Sequence, residues 1–85
     1  SILLEIYNNE TNCHSEYLFL NRTGHLLGDE GCIIFLLDGN VGLAFRKATI
    51  LVYITVYDYY QIHAQFYEIA LNLAELQLQK IESHL

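Results

Sequence analysis

The chain has 85 residues, of which 53% are hydrophobic and only 16% charged. It therefore reads as one small α+β domain spanning 1–85, with a thin core and too little charge to solvate its whole surface. The net charge is −6, and the only basic residues are Arg22, Arg46, Lys47 and Lys80. That balance excludes nucleic acid as a partner and disfavours an anionic membrane surface, because both need a basic patch.

A membrane span is excluded on length. The longest apolar stretch, 48–57, is broken by Thr49 and Thr55 and ends at Asp58. It is about half of the roughly 20 residues a spanning helix needs. The first residues lack a basic segment ahead of an apolar core, so no signal peptide is read there. Pro, Met and Trp are all absent. Pro alone averages about 5% of residues, so a computed or synthetic sequence with no biological activity stands as an alternative reading.

In chain order, Ile2–Tyr7 is predicted as a first strand, with Ile2, Leu4 and Ile6 on one face. A second is predicted over Glu16–Leu20. The five glycines all fall between Thr23 and Leu43, which marks a turn-rich region. Within it Cys32–Leu37 is nearly all apolar and reads as a central strand buried on both faces. Asp38-Gly39 is a tight-turn signal that leads into Val41–Arg46. Ala48–Tyr57 alternates with period two over ten residues, the clearest strand signal in the chain. Short connections predict an antiparallel meander of four or five strands, with Ile33, Phe35, Val52, Ile54 and Val56 in its core.

From Asp58 the period changes. Asp58 is a fitting N-cap, with Gln61 three residues on, and neither Gly nor Pro follows. Polar residues recur at Gln61, Gln65, Glu68, Asn72, Glu75, Gln79 and Glu82, as one wet stripe along a long C-terminal helix packed across the sheet. The remaining apolar arc covers roughly 220°, about twice what one core needs. Its two seams are Ile62, Phe66, Ile69, Leu73, Leu76 and Ala64, Tyr67, Leu71, Ala74, Leu78, Ile81, Leu85. The second seam keeps a three–four spacing suited to helix pairing, and Tyr67, Leu71, Ala74, Leu78, Ile81 and Leu85 are assigned to an interface. The spacing is equally compatible with that seam lying on the sheet.

No constellation carries catalysis. The serines, Ser1, Ser15 and Ser83, sit in no nucleophile elbow, and the glycines form no phosphate loop. Asp29-Glu30 between Gly28 and Gly31 reads as a solvated turn. Cys13, His14, His25 and Cys32 are zinc-ligand types at non-standard spacing, so no metal site is assigned. A Cys13–Cys32 disulfide, beside acceptor triplets for glycosylation at Asn9 and Asn21, is the lesser alternative to free thiols. Tyr53, Tyr57, Tyr59, Tyr60 and Tyr67 cluster at the strand-to-helix corner, as at an interface or a ligand pocket. The expected function is a non-enzymatic interaction or self-assembly module without cofactor, forming a homo-oligomer or binding a protein through the C-terminal helix. A small ligand-binding or metal-binding domain is the third reading.

Overall fold

A computed structural model describes residues 1–18, 26–37, 40–57 and 63–85, leaving aside the side chains of 35–37, 40, 57 and 63–66. The elements are β1 (Ile2–Ile6), α1 (Glu10–Leu18), β2 (Glu30–Leu37), β3 (Asn40–Lys47), β4 (Ile50–Tyr57) and α2 (His63–Glu82). Four strands form one antiparallel sheet in the order β1-β4-β3-β2, and α2 packs across β3 and β4. The architecture is the α+β arrangement that the alternation and the late change of period predict.

Three details depart from the sequence reading. Glu16–Leu18 belongs to helix α1 and not to a strand. The Asn9 side chain caps that helix, its Oδ1 accepting the Asn12 N–H at 2.8 Å, and Cys13 and Tyr17 share its buried face one turn apart. Strands β2, β3 and β4 follow one another as a meander, but α1 carries the chain across the sheet so that β1 pairs with β4 and not with β2. As a result β2 is an edge strand and not a central one, and Ile33 is 37% exposed.

Cross-strand register sorts the side chains by face. Ile2, Ile54, Leu43 and Ile33 form one row, and Leu4, Val52 and Phe45 the next. Both rows face α2, where Val41, Leu43, Phe45, Val52 and Ile54 are buried with Ala70, Ala74 and Ile81. Val56 packs at the margin of this core, while the Phe35 side chain lies outside the described residues. The opposite face carries α1 and a smaller cluster of Cys13, Tyr17, Cys32 and Leu51.

Candidate functional site

Antiparallel pairing alternates which residues turn their backbone groups toward the neighbouring strand. Thr55 N donates to Ser1 O, and Tyr7 N to Thr49 O, each at 2.9 Å. With the unbroken register Ile2↔Ile54 to Ile6↔Ile50, Ser1, Leu3, Glu5 and Tyr7 therefore turn inward to β4. The N–H and C=O of Ile2, Leu4 and Ile6 point out of the sheet edge. Both helices pack mainly on β3 and β4, so β1 lies beyond the footprint of either layer. Its side chains are correspondingly open, with Leu3 57% and Ile6 77% exposed.

The helix beside this edge is also open on one flank. Ile69, Leu73, Leu76 and Lys80 recur at four–three–four spacing, which puts them on one side of α2. Lys80, Gln77 and His84 meet Leu4 and Ile50 across a groove that Ile81 and Leu85 complete. The flank therefore faces β1. Leu73 packs against the core margin, whereas Ile69 and Leu76 are exposed.

The seam Tyr67, Leu71, Ala74, Leu78, Ile81 lies on the sheet. Ala74 and Ile81 are buried, and Tyr67, Leu71 and Leu78 pack against the same core. Ala70 and Ala74 give the reason: methyl side chains let the helix approach the strands closely, so this side seats on the sheet. Of the residues assigned to an interface, Leu85 is the one left exposed. Ile62, Asp58, Gln61, Tyr59, Tyr60 and His25 lie outside the described residues, as do the side chains of Ala64 and Phe66.

Charge concentrates at the far edge. Glu30 stands directly opposite Arg46 in the register, and Arg46 Nε donates to Glu30 Oε2 at 2.6 Å. His14 Nδ1 lies 2.7 Å from the same oxygen, which as a carboxylate can only accept, so that nitrogen carries the proton. Burial works against ionisation of Glu30, but the hydrogen bonds from His14 and Arg46 outweigh it and hold the carboxyl below its ordinary range. Asp29 is held low chiefly by the Ala48 N–H at 2.8 Å, with Lys47 and Arg46 adding to it against burial. The sequence reading of Asp29-Glu30 as a solvated turn missed this. The signal was there, since hairpin register brings Arg46-Lys47 opposite the acidic pair.

Cys13 and Cys32 are both free thiols in the smaller cluster. Burial pushes Cys13 up to about 11 despite Arg46 nearby, which keeps it protonated and unreactive near neutral pH. Among the described residues no group of three His, Cys, Asp or Glu is placed to hold a metal ion. No described helix is long and apolar enough to cross a membrane. Compared with known proteins, the chain matches no family model, no curated protein and no solved structure.

Proposed function

We propose that the chain is a self-associating interaction module, in which a second copy pairs with β1 and the Ile69–Leu76 flank of α2 borders the joint. The observation that carries this is an apolar edge whose outward row of backbone groups has no partner among the described residues. An antiparallel β1–β1 pair centred on Leu4 sets Ile2 opposite Ile6 and Leu4 opposite itself. All three positions are the outward-facing ones, giving roughly six hydrogen bonds by the alternation of an antiparallel ladder. Glu5 then falls opposite Leu3 of the other copy, so no carboxylates face each other. Such a two-fold contact is closed, and it covers Ile2, Leu4 and Ile6 without leaving a new edge.

Sedimentation velocity at micromolar concentrations tests the reading, with a dimer expected. Ile6→Lys places a charge on the pairing strand at a position that is 77% exposed, so stability should change by only about 0.5 kcal/mol while the dimer is lost. Leu71→Glu with Leu78→Glu provides the contrast. Those residues pack on the sheet, and burying two carboxylates there should unfold a domain whose whole stability is on the order of 5 kcal/mol. A folded monomer for the parent chain, or a dimer that survives Ile6→Lys, would overturn the proposal.

A further inference from the structure

The groove between β1 and the last turns of α2 has a composition of its own. Leu4, Ile50, Ile81 and Leu85 make it apolar, while Gln77, Lys80 and His84 stand along it from α2 and the residues just beyond. Among the described residues no Asp or Glu side chain lines it. Its volume is about 370 Å³, inside the roughly 300–1,000 Å³ of small-molecule sites. Apolar walls with a few convergent polar groups are what such sites have in common.

Charge decides the class of ligand. Among the described basic residues, Arg46 pairs with Glu30 and Asp29, and Lys47 with Asp29 and Glu82. Lys80 has no carboxylate within 4.0 Å, and its helical neighbours Leu76, Gln77, Ser83 and His84 include no acid. In a chain of net charge −6, the described basic side chain without a carboxylate partner thus sits at the apolar groove. We infer that this groove binds a free aliphatic monocarboxylate. The hydrocarbon chain lies along Leu4, Ile50, Ile81 and Leu85, and the carboxylate meets the Lys80 ammonium, with Gln77 and His84 as further hydrogen-bonding groups. A single ammonium suits one negative charge better than a phosphate dianion or an anionic bilayer. At about 30 Å³ for each small group, the volume holds on the order of twelve non-hydrogen atoms, the size of decanoate.

The groove and the pairing edge share Leu4 but use different parts of β1. Pairing uses the in-plane edge of β1, whereas the groove opens on the α2 face of the sheet. Backbone-amide NMR on ¹⁵N-labelled chain, titrated separately with decanoate, decanol and decyltrimethylammonium, is the test. Decanoate should shift Leu4, Ile50, Lys80 and His84 with a dissociation constant on the order of 100 µM. Decanol should bind about tenfold more weakly, and the cation not at all. Lys80→Gln, at an exposed position, should weaken decanoate binding about tenfold, and Lys80→Arg should keep it. Leu3→Glu, whose side chain lies on the α1 face and would meet Glu5 of the other copy, should lose the dimer and still bind decanoate like the parent chain, so loss of the dimer and loss of the ligand site are read separately. Decanol binding as well as decanoate, shifts centred away from the groove, or indifference to Lys80→Gln would each overturn the inference.

Discussion

At the β2 edge the ladder is interrupted between Ile33 and Phe35 by a bulge, and the Leu26 N–H takes up the Gly31 carbonyl at 3.0 Å. At the β1 edge the register runs without a break and no described residue pairs with the outward N–H and C=O groups. The two also differ in chemistry. Glu30 on β2 is tied to Arg46 and His14, while β1 carries Ile2, Leu3, Leu4 and Ile6 with one acid, Glu5. Bulges, covering segments and paired charges are the usual devices that stop a sheet from growing at its edge. Among the described residues, one edge has all of them and the other has none. A bare edge in so small a sheet is what the proposed pairing strand requires.

The closed edge can be broken most severely through Arg46, whose side chain is only 12% exposed and whose guanidinium also donates to Ala48 O at 2.8 Å. Arg46→Ala would leave Glu30 and Asp29 facing each other without their shared cation. Stability should fall by about 3 kcal/mol in chemical denaturation, since removing one partner of a buried pair strands the other. Arg46→Ala should also raise hydrogen exchange along β2 while leaving β1 as it was. A loss below about 1 kcal/mol would mean that the network is surface decoration.

Acid should loosen the same edge more gently. Both Asp29 and Glu30 have carboxyl groups held below their ordinary values. The stabilisation is therefore fully present above the unfolded-state values near pH 4 and disappears as pH falls through the lower folded-state values. Glu30, the more buried of the two, should contribute the larger part, because solvent screens the partly exposed Asp29. Denaturation curves should be flat from neutral pH down to about pH 5 and fall below it, and Glu30→Gln should shallow that fall. A curve that is just as steep in Glu30→Gln would place the acid sensitivity elsewhere.

How much of this was legible in the sequence varied with the kind of signal. The alternation Ile50, Val52, Ile54, Val56 and the glycine-free run after Asp58 gave β4 and α2, because strong periodicity reports a buried face directly. Helix α1 was hidden, since its buried face consists of little more than Cys13 and Tyr17. Its one clear mark was the Asn9 cap followed by Glu10. Two full apolar seams left the seating of α2 ambiguous, and Ala70 and Ala74 were the tie-breaker. The place of β1 beside β4 could not be read at all, because strand order depends on where α1 delivers the chain. The groove escaped for a related reason: Leu4 and Lys80 are brought together by topology, with no spacing between them to notice.

The smallest expected effect lies in the turn between β3 and β4, which hydrogen-bonds toward both edges. Period two runs through Ala48 and Thr49 in the sequence, yet Lys47 pairs with Ile50 and these two residues form the loop between them. Ala48 has φ of 54°, in the left-handed region that favours glycine. It is held there from the closed side, its N–H donating to Asp29 Oδ2 and its carbonyl accepting from Arg46. On the open side the Thr49 carbonyl accepts the Tyr7 N–H, which anchors the end of β1. All these bonds use backbone atoms of the turn, so Ala48→Gly keeps every one of them. The substitution relieves about 1–2 kcal/mol of backbone strain and costs about 0.4–1 kcal/mol in added freedom of the unfolded chain. The balance predicts a gain of about 0.5 kcal/mol, read as a higher denaturation midpoint at unchanged slope. Protection of both Tyr7 and Asp29 amides should be preserved, because neither edge loses its anchor. If glycine instead destabilises by a similar amount, the turn is not left-handed at Ala48, and the coupling of the two edges through it fails with it.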